Sequence, residues 1–244
     1  MITSTDNNLI KKVIKLADKK YRDEFDSFII EGYRAVKDSI GKIEIETILL
    51  SESASKKYLD QFKCEIVSDK VFNKIASTEQ TQGVLCIAKR KKKSDSIYDY
   101  CLFLDGVRDP GNVGTILRTA MACGFNTVIT NNCVDIYNPK VVRSSMSAIA
   151  KLNIIDSDER VLDSLKSNNY SILCADMGGV SIFEFEKNLH DKVCLIVGNE
   201  ANGVSESVQN KADYIISLPM QEGMESLNVA VATAVCMYEL KYNK

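Results

Sequence analysis

Polar side chains with catalytic potential stand directly after apolar, strand-like runs at three places in the second half of the chain. Asn112 and Arg118 follow the first run, Glu200 follows the second, and Ser226 and Asn228 follow the third. Hydroxyl and amide side chains beside the free N–H groups of a helix start, as at Ser226 and Asn228, form a corner that binds acceptor groups. These residues predict a site for a small molecule.

The first stretch, from Phe103 to Arg118, predicts a strand, a turn rich in Gly, Pro and Asp, and a helix that begins near Asn112 and stops at Gly124. Such a turn suggests nucleotide binding, but it contains neither a G-x-G-x-x-G fingerprint nor the Gly-Lys-Ser/Thr of a P-loop. Arg118 lies about 9 Å along the helix axis from Asn112, and its long side chain can lean back toward the mouth of the sheet. Taken alone, it is more often a surface or salt-bridge residue.

The second stretch, LIVGNEANGVS over 195–205, predicts a buried strand that breaks into a loop bracketed by glycines, with Ser205 as a helix N-cap. Gly198 allows a ligand to approach the backbone closely. Glu200 on its own would be a surface carboxylate.

The third stretch predicts a strand over 214–218, a polar loop, and a helix opened by Ser226 that is apolar almost all round. We expect that helix to be buried against a sheet, a partner subunit or both.

These three stretches resemble the signature motifs of the SpoU (TrmH-like) family of RNA 2'-O-ribose methyltransferases, in the family's order, from Phe103 to Leu240. The resemblance implies a mainly parallel α/β sheet whose C-terminal segment threads a loop to form a trefoil knot (the SPOUT fold), a rare exception to the rule against knotted chains. It also implies S-adenosylmethionine as cofactor and a homodimer with the site near the subunit interface.

The resemblance gives catalytic roles to the five residues above and places the cofactor on backbone groups of Gly198, Leu218 and Leu227. We expect Ala175, Val197 and Pro219 to lie around the cofactor as well. Because a guanidinium stays protonated in proteins, our hypothesis is that Arg118 binds the substrate phosphate and stabilises the reacting oxygen, while Glu200, Ser226 and Asn228 position it and the ribose.

The segment NPKVVRSSMSA over 138–148 resembles a further part of the family, with Ser147 where a glycine is usual. If that position requires a positive φ, serine costs about 1 kcal/mol or more.

Residues 1–88 predict a small α/β domain with one amphipathic basic helix over 7–20 and strands over 27–30, 43–50, 64–67 and 84–88. The segment FIIEG at 28–32 resembles the L30e-type RNA-binding domain that precedes the catalytic domain in ribosomal-RNA members of the family, and a generic adaptor domain is the alternative. Residues 89–98 predict a basic linker, and 99–244 the catalytic domain. The linker begins with five consecutive cations: Lys89, Arg90, Lys91, Lys92 and Lys93. Such a run is most often a solvated hinge, and it can also contact RNA phosphates.

Charge is distributed unequally between the two halves. Residues 1–93 hold 19 Lys and Arg against 14 Asp and Glu, whereas residues 94–244 hold 12 against 19. The pattern favours a polyanion partner for the first half and a small ligand for the second. The eight cysteines show no C-x-x-C spacing, and His190 is the one histidine, so we expect buried thiols and no metal site.

No apolar run approaches the roughly 18 residues of a membrane span, so we expect no membrane segment and a cytoplasmic protein.

The sequence therefore predicts methylation of a ribose 2'-hydroxyl in RNA, with large-subunit ribosomal RNA as the favoured substrate because an N-terminal RNA-binding domain is present. A tRNA methyltransferase and a non-catalytic RNA-binding assembly factor are the alternatives. A dinucleotide-dependent dehydrogenase is disfavoured by the missing fingerprint.

Overall fold

The structure is a computed structural model that describes residues 1–91, 96–185, 189–224 and 226–243. It divides into two compact units. Unit 1 comprises Met1–Lys92 and Asp135–Lys151, and unit 2 comprises Lys93–Val134 and Leu152–Lys244. The predicted boundaries at 1–88, 89–98 and 99–244 stay a prediction.

Unit 1 is built on a four-stranded sheet flanked by short helices. Its N-terminal elements are α1 (Asn8–Lys15), α2 (Lys19–Phe25), β1 (Ser27–Glu31), α3 (Tyr33–Ser39), β2 (Ile45–Ser51), α4 (Glu52–Tyr58), a 3-10 helix (Leu59–Gln61), β3 (Glu65–Val67), α5 (Asp69–Ile75) and β4 (Val84–Lys89). The strand order is β1-β4-β2-β3, with β2 and β3 parallel and the other pairs antiparallel. Its core joins apolar residues of α1, α5 and the strands, among them Ile10, Phe72 and Leu85.

The prediction of one helix over 7–20 is wrong, because the segment forms two helices. Asn7 caps α1 by accepting a hydrogen bond from the N–H of Leu9 at 2.9 Å. Asp18 does the same for α2 with the N–H of Lys20, also at 2.9 Å. An aspartate that caps a new helix competes with continuation of the preceding one, and here the cap prevails over the apolar periodicity.

Unit 2 contains a six-stranded sheet, and its neighbouring strands are all parallel, as predicted. The elements of this half, in chain order, are β5 (Tyr100–Asp105), α6 (Pro110–Cys123), β6 (Thr127–Asn131), α7 (Pro139–Ser144), α8 (Ala148–Lys151), β7 (Asn153–Asp156), α9 (Arg160–Ser167), β8 (Tyr170–Ser181), β9 (Lys192–Val197), α10 (Glu206–Gln209), β10 (Tyr214–Ser217) and α11 (Val229–Tyr242). The strand order is β10-β8-β9-β5-β6-β7. Both faces of the central strands are buried, which is typical of a parallel sheet covered by helices. In the described ranges, no helix is long and apolar enough to span a bilayer.

Helices α7 and α8 belong to unit 1, although they lie between β6 and β7 in the sequence. Arg22, with only 3% of its surface exposed, donates from Nε and Nη2 to Asp135 at 3.0 and 2.7 Å. The Tyr137 ring packs on Phe28 at 4.7 Å between centroids. A buried arginine needs such a partner, so this pair fixes the segment in unit 1.

In the segment 138–148, a turn separates α7 from α8. Met146, with φ of 56°, adopts the left-handed conformation there, whereas Ser147 does not. The anticipated strain therefore falls one residue earlier than Ser147, whose hydroxyl lies 3.3 Å from Asp38 Oδ2.

Candidate cofactor and catalytic site

A cavity of about 430 Å³ lies at the carboxyl ends of β9 and β10, beside residues 175–177 of β8. Ligands of parallel α/β sheets bind outside the carboxyl ends of the strands, where the connecting loops leave a crevice. Here residues 175–177 of β8, the loops after β9 and β10, and the first turns of α11 supply the walls. The polar lining includes Asp176, Asn199, Glu200 and Ser226, and apolar lining comes from residues such as Leu227.

Three amide and carboxylate side chains from the three predicted motifs form one hydrogen-bonded chain. Asn112 donates from Nδ2 to Glu200 Oε1 at 3.0 Å. Asn228 donates from Nδ2 to Asn112 Oδ1 at 2.9 Å. This chain joins positions that are 88 and 116 residues apart in sequence. It fixes the start of α6, the loop after β9 and the start of α11 relative to one another.

Asn228 also caps α11, which begins at Val229 rather than at the predicted Ser226. Its Oδ1 accepts from the N–H groups of Ala230 at 2.9 Å and Val231 at 3.3 Å. Because the amide oxygen caps the helix, the amide nitrogen remains available for Asn112. One side chain therefore stabilises the helix start and orients the neighbouring motif.

Glu200 is held by several donors at once. Besides Asn112, the backbone N–H groups of Arg108 and Asp109 approach its carboxylate at 3.3 and 3.2 Å. Burial alone would raise the pKa of Glu200, but these hydrogen bonds outweigh it and hold the pKa below the ordinary value of 4.5. The side chain is thus ionised at neutral pH and serves as an acceptor for the turn that precedes α6.

Gly198 has no room for a side chain, and the reason is the protein's own loop. A Cβ built at Gly198 would lie 2.2 Å from the carbonyl carbon of Gly203 and 2.2 Å from the nitrogen of Val204. The loop folds back because Asn199 and Gly203 exchange backbone hydrogen bonds of 2.8 and 2.9 Å. The sequence had suggested that this glycine admits a ligand, whereas the structure shows that it admits residues 203–204.

The predicted cofactor residues are brought together with one exception. Five of the six line the cavity: Ala175, Val197, Gly198, Leu218 and Leu227. Pro219 is exposed and is not among the lining residues.

The predicted catalytic residues separate into two groups. In the first group, Glu200 and Ser226 line the cavity. Asn112 is hydrogen-bonded to Glu200, and Asn228 is hydrogen-bonded to Asn112. Arg118 lies six residues after Asn112 on α6 and is exposed. Within the described ranges it has no hydrogen-bond or ion-pair partner, so its guanidinium remains available to a substrate.

The predicted RNA-contacting cations are partly engaged within unit 1. Lys89 forms an ion pair with Glu46 at 3.0 Å, and Arg90 forms one with Asp23 at 2.7 Å. Burial lowers the pKa of Lys91. Lys92 and Lys93 lie outside the described residues.

Sequence reasoning missed two residues of the site. Asp176 lines the cavity, where its Oδ1 accepts from the N–H of Gly178 at 3.0 Å. Asn199 ties the loop after β9 to β5, because its Nδ2 donates to the carbonyl of Gly106 at 2.8 Å. Both stand just beyond the buried part of a strand, and that position was the available signal.

The cavity fits the predicted cofactor in size and chemistry. Its volume lies within the roughly 300–1,000 Å³ usual for small-molecule sites. Apolar side chains, loop backbone and the Asp176 carboxylate suit an amphipathic nucleoside that carries positive charge. No cluster of three or more potential metal ligands occurs in the part of the chain that the structure describes.

Comparison with known proteins gives consistent results for both halves. Residues 99–238 match the SpoU rRNA Methylase family, and residues 7–86 match the MRM3-like substrate binding domain. The 23S rRNA (guanosine(2553)-2'-O)-methyltransferase RlmP of Bacillus subtilis (strain 168) is 29% identical over 98% of both chains.

Solved structures resemble the whole chain. A putative RNA methyltransferase of the TrmH family from Porphyromonas gingivalis has a TM-score of 0.87 at 27% identity, over 97% of this chain and 98% of that one. An rRNA methyltransferase from Sinorhizobium meliloti, bound to S-adenosylmethionine, has a TM-score of 0.86 at 26% identity, over 99% and 97%. These matches confirm the predicted α/β fold with its parallel sheet and small N-terminal domain, and the predicted enzyme class. The family match covers more than half of the chain, which therefore belongs to the SpoU rRNA methylase family.

Proposed function

We propose that this protein transfers the methyl group of S-adenosylmethionine to a ribose 2'-hydroxyl in large-subunit ribosomal RNA. The observation that carries the proposal is the Glu200–Asn112–Asn228 chain of hydrogen bonds, which joins the three motifs beside a cofactor-sized cavity. A protein that only bound RNA would have no need to hold these three side chains in one arrangement.

S-adenosylmethionine, when bound, supplies an electrophilic methyl group. We assign its contacts to backbone groups of Gly198, Leu218 and Leu227, all of which line the cavity. The loop fold that excludes a side chain at Gly198 keeps the backbone of that residue in place. Asp176 is a lining carboxylate that is not part of the Asn112 hydrogen-bond chain, and its charge favours a cationic ligand.

Arg118 is assigned to the substrate. Methyl transfer to an alcohol oxygen requires alignment of that oxygen and stabilisation of the charge that develops on it as its proton leaves. The exposed guanidinium of Arg118 offers forked donors that match a phosphate, and it stays protonated. It therefore binds the RNA phosphate and stabilises the reacting oxygen without acting as the base.

Glu200 is proposed as a positioning residue for the same reaction. A carboxylate whose pKa is lowered is a weak proton acceptor, and its oxygens are already occupied by Asn112 and two backbone N–H groups. Its function is to hold Asn112 and the turn before α6. Ser226, at the cavity wall, is assigned to the ribose.

We infer a homodimer from the exposed face of α11. Val231, Val235, Tyr238 and Tyr242 are 51, 37, 47 and 65% exposed and follow one another at helical spacing, which leaves an apolar stripe uncovered. The sequence had predicted burial of this helix against a sheet or a subunit, and a second copy is the occupant we propose. In sedimentation-velocity runs, Val235→Lys should convert a dimer to a monomer.

We further propose the trefoil knot and a cytoplasmic location. The knot is supported by the path of the chain. Strand β10 lies at the edge of the sheet, yet α11, which follows it, returns to pack on α6, the helix that follows the central strand β5. The location is supported by the proposed ribosomal substrate and by eight free cysteine thiols.

The test of the substrate is transfer of tritiated methyl from S-adenosylmethionine to ribosomal RNA and tRNA from a strain that lacks this gene. The proposal predicts label in large-subunit RNA, as naked RNA or as ribosomal particles. Label in tRNA alone would show that the substrate is tRNA and not ribosomal RNA. Absence of label, with RNA binding intact, would favour a non-catalytic assembly factor.

A further inference from the structure

Unit 1 carries an aromatic stack on its surface that neither the core nor the cofactor site uses. The rings of Tyr33 on α3 and Tyr58 on α4 are parallel within 16°, with centroids 4.3 Å apart. Phe62, which is buried, meets the edge of Tyr33 at 6.0 Å. The two tyrosines are only partly covered, so the stack reaches the solvent.

The stack is held rigidly at its inner end. The hydroxyl of Tyr33 donates to Gln61 Oε1 at 2.7 Å, and the backbone N–H of Tyr33 donates to Gln82 Oε1 at 2.8 Å. Tyr33 thereby has a fixed ring orientation and Tyr58 packs on it. A preorganised aromatic platform loses little conformational freedom when a ligand stacks on it.

Two lysines accompany the stack. The ammonium of Lys37 lies 5.5 Å from the ring centre of Tyr33, and that of Lys57 lies 5.1 Å from the ring centre of Tyr58. Both are exposed, and in the described part of the chain neither has a carboxylate within 4.0 Å. A cation–π contact at an exposed site is weaker than base–aromatic stacking, so a base can displace the Lys57 ammonium toward a neighbouring phosphate. The Lys37 ammonium donates to the Tyr33 hydroxyl at 3.1 Å, which holds it at the polar end of that ring.

A second aromatic and basic surface, on α2, differs in these respects. Tyr21 lies under Lys15 and Lys20, at 5.1 and 5.5 Å, but its neighbouring ring, Phe25, is 6.2 Å away on the same helix. Two further cations near this surface, Lys19 and Arg90, already form ion pairs with Asp23. This surface is a matched control, because it has similar residues without the tight stack.

We propose that the surface formed by Tyr33, Lys37, Lys57 and Tyr58 binds unpaired bases of the RNA substrate. Stacking on aromatic rings with lysines at the flanking phosphates is how proteins hold single-stranded nucleic acid without reading its sequence. The inference rests on the proposed function for the identity of the RNA, and it assigns a contact surface outside the run of cations at 89–93.

The test is fluorescence anisotropy of the full chain with a labelled single-stranded RNA of roughly twelve nucleotides. Tyr58→Leu should weaken binding about fivefold or more, whereas Tyr58→Phe, which keeps the π-face, and Tyr21→Leu should bind as the unmodified protein does. Lys37→Gln and Lys57→Gln should each reduce the slope of log affinity against log salt by about 0.7.

Equal binding by Tyr58→Leu and Tyr58→Phe, with unchanged salt slopes in the two lysine variants, would overturn the inference, and so would a loss confined to Tyr21→Leu. The salt slopes give a second readout if Tyr58→Leu folds poorly. Anisotropy needs no methyl transfer, so a protein that binds RNA through this surface but transfers no methyl group contradicts the proposed function alone. A protein that methylates RNA with the same KM after Tyr58→Leu contradicts the surface alone.

Discussion

Replacement of Asn228 by serine separates the two hydrogen-bonding tasks of its side chain. Its oxygen caps α11 through the N–H groups of Ala230 and Val231, and its nitrogen holds Asn112. Serine caps a helix about as well as asparagine, but it is too short to reach Asn112. Alanine performs neither task, so the pair Asn228→Ser and Asn228→Ala distinguishes the bond to Asn112 from the cap.

The expected magnitudes follow from these contacts. Loss of the bond to Asn112 should lower the free energy of unfolding by about 0.5–1.5 kcal/mol in both variants. Loss of the cap should lower it by a further 0.5–2 kcal/mol, roughly, in Asn228→Ala alone. Because both variants remove the bond that Asn112 Oδ1 accepts from Asn228, both should lose methyl-transfer turnover to a similar extent, whereas only alanine should show the additional loss of stability.

Urea unfolding and initial rates of methyl transfer measure the two effects on the same samples. Unmodified turnover in Asn228→Ser would refute the reasoning, because it would show that the link between the third motif and the first is dispensable. Turnover that falls only in proportion to stability would refute it too.

Three further predictions address other parts of the account. Gly198→Ala should lose about 1–3 kcal/mol of unfolding free energy and bind S-adenosylmethionine at least about tenfold more weakly by calorimetry, because its Cβ would meet the backbone of Gly203 at 2.2 Å. The matched Gly178→Ala, whose Cβ would find its nearest atom at 3.5 Å, should be tolerated. Arg118→Lys should lower kcat about a hundredfold with cofactor affinity unchanged, because an ammonium lacks the forked donors. Burial alone would raise the pKa of Glu46, but hydrogen bonds from two lysines and a serine hold it below 4.5, so lowering the pH through and below 4.5 should destabilise the unmodified protein more than Glu46→Gln.

The sign of the last prediction follows from the direction of the shift. A carboxylate with a lowered pKa contributes stability that is complete above its ordinary pKa and is lost as the pH falls through the folded value. Identical acid profiles for the two proteins would contradict it. Near-normal turnover of Arg118→Lys at neutral pH, or unchanged cofactor binding by Gly198→Ala, would contradict the other two.

Local signals in the sequence were sufficient for much of unit 2. Pro110 in the first turn of α6 and Gly124 after its last residue mark the two ends of that helix. The apolar runs of the sequence coincide with the buried strands β5, β6 and β9. The motifs likewise placed five of the six predicted cofactor residues at the cavity.

Other features depend on contacts between distant residues and could not be predicted from the sequence. The bond from Asn228 to Asn112 spans 116 positions, and nothing local specifies it. The same holds for Arg22 and Asp135, which are 113 residues apart and place α7 and α8 in unit 1. The sequence predicted that Gly198 is a glycine because a ligand approaches it, whereas in the structure its own loop excludes a side chain there.

The most direct test of the central claim is the chemical identity of the methylated product. Ribosomal RNA that has been incubated with the protein and S-adenosylmethionine is digested to nucleosides and analysed by mass spectrometry, with Arg118→Ala as the control. The account predicts a 2'-O-methylnucleoside in the digest, strongly reduced in the control. A methyl group on a base, or equal product from Arg118→Ala, would contradict it.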